Sequence, residues 1–184
     1  MARSIANASI KLNANYQLKN TLVDTTVQAK LDYSNAIIAL TLGSGNGEDQ
    51  GNRIWQNTDV AISSGATSDI DLYDFAGIDI GGGAGRDGLG LAMDLEEIVA
   101  FILVCESGPG QLELMPTNPS NPWSCAPTLT VATGNALKAN GALMLLQRNH
   151  QGFDVIDTTS HQIRLKANGG NVTYSLYIVG RSSD

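Results

Sequence analysis

The side chains able to do chemistry are few in this chain, and they are scattered. There are 2 histidines, His150 and His161, and 2 cysteines, Cys105 and Cys125. A zinc centre needs nitrogen and sulfur ligands at close spacing, and these residues form no such cluster. A nucleophilic triad needs a histidine beside a nucleophile and a carboxylate, and no Gly-x-Ser-x-Gly turn or cysteine signature is present. His150 sits in Asn149-His-Gln-Gly152, which reads as a turn, and His161 opens a strand. Both are expected at the surface or rim. The cysteines read as two buried free thiols rather than as a bridge.

Glycine-rich stretches raise the question of phosphate binding. Gly81-Gly-Gly-Ala-Gly-Arg-Asp-Gly88 has no Gly-Lys-Ser/Thr ending and no βαβ surroundings, so it is neither a P-loop nor a dinucleotide fingerprint. It reads as a surface loop. Asp69, Asp71, Asp74, Asp79, Asp87 and Asp94 follow one another through an Asp/Gly-rich stretch. Calcium wants roughly six to eight hard oxygens, but the EF-hand spacing and the Gly-Gly-x-Gly-x-Asp repeat are missing. Asp69 and Asp71 read instead as the solvent face of a strand. One-dimensional spacing supports no carboxylate pair for glycoside hydrolysis. Trp55 and Trp123 are candidates for sugar stacking or for interface contacts, against core packing as the plainer reading. Trp123, after Pro122 in an irregular stretch, is the better candidate for an exposed contact. Asn7-Ala-Ser9 and Asn171-Val-Thr173 match the glycosylation pattern by chance. No catalytic, cofactor-binding or metal-ligating residue is assigned.

The elements that carry these residues are strands. The 184 residues include 20 Gly and 5 Pro, are 42% apolar and only 5% aromatic, and suit one globular domain with many tight turns. Alternating runs cover Leu22–Leu31, Asp69–Phe75, His161–Ala167 and Val172–Val179, the period of a half-buried strand. More continuous apolar runs cover Asn35–Leu42 and Ile98–Val104, and the second, inside Asp94–Cys105, reads as a buried strand although its spacing also fits a helix. Arg53–Ile62 is a strand with Ile54, Val60 and Ile62 toward the core and Trp55 nearby. Short strands are expected at Gln111–Met115, Thr128–Val131, Ala142–Leu146 and Phe153–Asp157. Gly43–Gly51 is a loop, and Pro116–Pro122 is irregular because three prolines remove donors. Asn168-Gly-Gly-Asn171 reads as the turn of a hairpin that pairs the last two strands. Ile163, Leu165, Leu176 and Ile178 are expected in the core. The fold expected is all-β, an antiparallel, jelly-roll-like β-sandwich over residues 21–184, with an extended N-terminal arm over 1–20.

Charge limits the partners. There are 11 Lys+Arg against 18 Asp+Glu, a formal net charge of −7. Binding to nucleic-acid phosphates relies on clustered cations, so this balance argues against nucleic acid. It likewise does nothing to attract an anionic membrane. No apolar run is long enough for a helical span, and Met1–Asn20 lacks the apolar stretch of a secretory signal, so synthesis in the cytoplasm is expected.

From Asp69 to Arg181 the order of patterns resembles small all-β virion proteins of tailed bacteriophages. The residues that carry the likeness are Pro127-Thr-Leu-Thr-Val131, Leu137–Leu146, Phe153-Asp-Val155, Ile163-Arg-Leu-Lys-Ala-Asn-Gly-Gly169 and Val172-Thr-Tyr-Ser-Leu-Tyr-Ile-Val-Gly180. Asp69–Gly77 followed by Glu97–Val104 fits the same order. The resemblance implies a jelly-roll-type sandwich that decorates or cements a capsid. Its partners would be the major capsid protein and further copies of itself, as a dimer or trimer, on the surface of the virion. A neck, vertex or tail position and a carbohydrate-binding jelly roll are the alternatives.

Overall fold

The computed structural model describes residues 8–10, 15–22, 25–32, 40–44, 46–79, 83–86, 92–115, 120–147 and 149–182, with side-chain surroundings from residue 46 onward. The strands are β1 (Ala8–Ile10), β2 (Asn15–Leu22), β3 (Thr25–Asp32), β4 (Leu40–Ser44), β5 (Gln50–Gly51), β6 (Arg53–Ile62) and β7 (Thr67–Asp71). They continue with β8 (Glu97–Ser107), β9 (Gln111–Leu114), β10 (Gly141–Leu146), β11 (Phe153–Asp154), β12 (Gln162–Asn168) and β13 (Val172–Arg181). Among the described residues there is no α-helix, only a 3-10 turn at Val131–Thr133.

Two antiparallel sheets form the sandwich. The larger has the order β10-β8-β13-β6, with β11 also beside β8; the smaller is β7-β12-β9. One core joins their inner faces: Trp55, Phe101, Leu103, Leu176 and Ile178 from the larger meet Ile70, Leu112, Leu114, Ile163 and Leu165 from the smaller. Strand β12 shows the simple case. Ile163, Leu165 and Ala167 are fully buried while the residues between them are half-buried, as its alternation predicts. Trp55 stacks on Phe75 with ring centroids 4.2 Å apart, and Trp123 meets Phe101 and Phe153 at 5.6 and 6.0 Å.

The expected hairpin between the last two strands is not one. Strand β12 pairs with β7 and β9, whereas β13 pairs with β6 and β8. The turn is where the sequence places it, with Gly169 at φ 74°, but it carries the chain from one sheet to the other. The connections β6–β7 and β8–β9 cross the sandwich at the same end, and this alternation makes the fold jelly-roll-like. Asn171 ties the three crossings together: Ser64 N–H donates to its Oδ1 at 2.9 Å and Gly110 N–H to its backbone oxygen at 3.2 Å. The backbones meet closely enough that a Cβ on Gly110 would lie 2.2 Å from the Gly170 oxygen. A hairpin and a crossing use the same turn residues, so turn chemistry alone does not choose between them.

Strand β6 corrects a second expectation. Opposite Tyr174 and Leu176, β6 carries one residue more than its partner, a β-bulge with Asp59 at φ 56°. The bulge reverses the side-chain parity. Trp55 and Ile62 face the core, fully buried and 5% exposed, while Ile54 turns to the opposite face. Thr128–Val131 is likewise not a strand: Leu129 makes a single bridge to Leu114 before the 3-10 turn.

In the N-terminal part, Leu22 ends β2 and Thr25 begins β3, so the run read as one strand over Leu22–Leu31 spans two paired strands. The described parts of the expected arm, 8–10 and 15–20, are extended, and the boundary drawn after residue 20 falls within β2. Strand β1 pairs with β4, and β4 pairs in parallel with the short β5. Of Asn35–Leu42 only the part from Leu40 lies in the described residues, and of Gly81–Gly88 only 83–86.

Candidate interaction surface

The side chains that drew attention by type are used inside the fold. His161 is 5% exposed, not a rim residue. Its Nδ1 lies 2.9 Å from Asp71 Oδ2, and its Nε2 lies 3.3 Å from Asn121 Nδ2. Nδ1 is placed to donate to the carboxylate, and Nε2 faces the Asn121 amide. Asn121 in turn accepts from the His161 and Gln162 N–H groups through its backbone oxygen. The ring therefore anchors Asn121, just before Pro122, and both of its nitrogens are engaged. His150 is exposed in its turn, and its backbone oxygen accepts from Arg181 at 3.1 Å.

The aspartates disperse. Asp69 makes a two-pronged ion pair with Arg164 at 2.5 and 2.6 Å, and the Arg164 hydrogen bonds hold its carboxyl below the ordinary value. Asp71 binds His161. Asp74 and Asp79 accept from Ala76 N–H and Gly83 N–H, Asp94 lies 3.4 Å from Arg53, and Asp87 lies outside the described residues. Among the described residues no group of three or more His, Cys, Asp or Glu is arranged to hold a metal. Cys105 and Cys125 are free; burial pushes the Cys105 thiol up, and Cys125 is half-buried. Trp55 and Trp123 are both fully buried, so Trp123 is not the exposed contact its irregular surroundings suggested. Its indole N–H donates to the Asp154 oxygen at 2.8 Å, which lets it seat in the core.

Arg181 was not singled out by sequence, yet it is 2% exposed. Its guanidinium pairs with Glu97 at 2.7 Å and donates to the backbone oxygens of Gln50, Asn149 and His150. It lines an open pocket of ≈ 200 Å³ with Asn46, Glu96, Glu97, His150 and Ser182. The cation there joins three chain segments.

The surface that stands out is the outer face of the larger sheet. Its inner rows, such as Trp55–Ile178–Phe101–Leu145 and Asn57–Leu176–Leu103–Leu143, face the core. The rows between must point outward. The first is Ile54–Val179–Ala100–Leu146, the second Gln56–Tyr177–Ile102–Met144, and the third Ser175–Val104–Ala142. None of these residues is charged, and eight of the eleven are aliphatic or Met. Most of the first row is already covered: Ala100 and Val179 are 1% and 9% exposed and form a small second cluster with Val99, against which Ile54 and Leu146 pack, and Gly51 lies against Val179. Ile102, Val104, Met144 and Tyr177 remain half-buried, and Ala142 is exposed. An antiparallel sheet with one wet face normally alternates apolar and polar residues; strands apolar on both sides belong to sheets covered on both sides.

No protein-family model, curated protein or solved structure matches this chain. The outer sheet face is thus read on its own chemistry. Among the described residues no helix is long and apolar enough to cross a membrane, a statement that does not extend to spanning by strands.

Proposed function

We propose that the chain is a non-enzymatic structural protein of a tailed-phage virion, a decoration or cement protein bound to the outer surface of the head. The observation that carries this reading is the outer face of the larger sheet, where the half-buried Tyr177, Ile102, Met144 and Val104 stand in adjacent rows without a charged residue among them. Such a patch would suit assembly against a neighbour. The resemblance adds to it, because Leu137–Leu146, Ile163–Gly169 and Val172–Gly180 supply β10, β12 and β13, strands of both sheets. In this reading the partners are the major capsid protein and other copies of the chain, and the particle surface is its location.

The sugar-binding alternative rested on two tryptophans and the acidic loops, and both tryptophans are fully buried, so neither can stack on a sugar ring. A neck, vertex or tail position uses the same fold, and copy number separates it from decoration. Quantitative mass spectrometry of density-purified particles would count this chain against the major shell protein. A count of the same order supports decoration. A count many-fold lower moves the protein to a neck, vertex or tail, and absence from the particle overturns the virion reading.

A further inference from the structure

We propose that the free edge of β10 is a docking site for the same strand of a second copy, which extends the larger sheet antiparallel about a two-fold axis. The edges of the two sheets are finished in different ways. Strand β6 ends one side of the larger sheet and carries the bulge and the exposed Asp59, devices that resist further pairing. Strand β7 is 5 residues long and holds Asp69 and Asp71. Strand β9 is bridged along its outer side, where Leu112 and Leu114 exchange backbone hydrogen bonds with Leu137 and Leu129. Strand β10, Gly141-Ala-Leu-Met-Leu-Leu146, has none of these devices. It holds no charge and no proline, and its register against β8 is unbroken.

The backbone of β10 shows which groups are free. Gln147 N–H donates to the Val99 oxygen at 2.9 Å, which continues the β8 register by one residue. Bonding residues alternate in an antiparallel ladder, so Leu143 and Leu145 turn their backbone toward β8, and Ala142, Met144 and Leu146 turn theirs away. Among the described residues nothing bonds to those outward N–H and C=O groups. The side chains say what kind of strand fits. Leu143 and Leu145 pack against the core yet are only half-buried, whereas Phe101, Leu103, Leu176 and Ile178 beside them are buried, so the core is open along this edge. A strand that closes it must supply backbone partners and apolar side chains together. The β10 strand of a second copy supplies both. With the axis through Met144, Ala142 faces Leu146 and Leu143 faces Leu145, and each outward residue meets an outward residue. Each copy carries a formal −7, and this edge joins two copies with no charge inside the paired span; Lys138 and Arg148 flank it at either end. Pairing along one short strand is at or below the low end for a specific interface, so association is weak, with a dissociation constant in the micromolar range or above.

The test is sedimentation equilibrium of the full chain from about 5 to about 500 µM, a range chosen for so small an interface, with residue-resolved amide hydrogen exchange at both ends of the range. The wild type is expected to shift from monomer to dimer, and the Ala142, Met144 and Leu146 amides are expected to gain protection as it does. Met144→Pro removes an N–H that bonds nothing within one copy, at an edge position where proline is tolerated. Ala142→Lys places a charge on the exposed edge. Each is expected to weaken the dimer at least about tenfold while leaving the melting temperature of the dilute chain near that of the wild type. Gln56→Lys, on the far edge strand β6, should leave the dimer intact. The proposal is overturned by a wild type that stays monomeric, by a stoichiometry other than two, or by a dimer in which those three amides exchange as fast as in the monomer. A dimer that survives both Met144→Pro and Ala142→Lys overturns it as well. The virion reading is tested separately. A monomer abundant on particles removes this pairing and keeps decoration, and a dimer absent from particles does the reverse.

Discussion

The two sheets of the sandwich share one core but treat their outer faces differently. The smaller sheet covers its back with matched charge: Asp69 sits opposite Arg164 in the ladder, and Glu113 opposite Lys166, whose Nζ is 3.8 Å from Glu113 Oε2. The larger sheet places Tyr177, Ile102 and Met144 at the equivalent level. Strand β12 is a two-faced strand made for one core and water. Strands β8 and β13 are apolar on both sides and suit cover on both. The difference is one of chemistry: charged pairs on the back of the smaller sheet, apolar and uncharged polar rows on the back of the larger.

The largest effects should come from the core that the sheets share. Leu165→Ala in the smaller sheet and Leu176→Ala in the larger remove fully buried side chains, and each should cost about 2–5 kcal/mol in urea unfolding. Similar losses at both would confirm that the inner faces are equivalent; a loss well under about 1 kcal/mol at either would mean that its strand is displaced by one residue. Gly110→Ala tests how the sheets are joined. Its Cβ would meet backbone at 2.2 Å, where no side chain can move aside. A destabilisation of about 1–3 kcal/mol or more is expected, against a small gain if 168–171 closed an ordinary hairpin away from Gly110.

The smallest effect belongs to the charged outer face. Asp69 in the folded chain titrates below its ordinary 3.8, chiefly through the Arg164 hydrogen bonds, with charge attraction adding and burial opposing. A folded value below the unfolded one stabilises above about pH 3.8, and the contribution disappears as pH falls through the folded value. The pair is open to solvent, so screening keeps its contribution small. The stability difference between wild type and Arg164→Met should show this near neutral pH and shrink toward zero in acid. A difference that grows in acid would break the assignment.

Much of this architecture was legible in the residues. The period of two in His161–Ala167 and Val172–Val179 marks strands and their buried sides, because alternation is a property of each strand's own backbone. The continuous run Ile98–Val104 settles as strand β8, and its apolar character on both sides already held the candidate surface. Neither that surface nor Arg181 was read from the sequence, because a face exists only when strands are placed side by side. Ile54, Ala100, Leu146 and Val179 become one row through register, and Arg181 meets Glu97 and the 149–150 turn only across the fold.

The sequence by itself determined the all-β character, the antiparallel strands, the position of most turns and the core residues of β12 and β13. These follow from local sterics and from the spacing of apolar side chains. The tertiary structure decided which strands are neighbours. It sent the Asn168–Asn171 turn across the sandwich, where two apolar faces bury each other, and it reversed the parity of β6 at Asp59. It also buried His161 and Trp123, whose surroundings in the chain are polar or irregular. A hydrogen bond from His161 to Asp71 and one from Trp123 to the Asp154 oxygen make that burial tolerable, and both partners are far away in sequence.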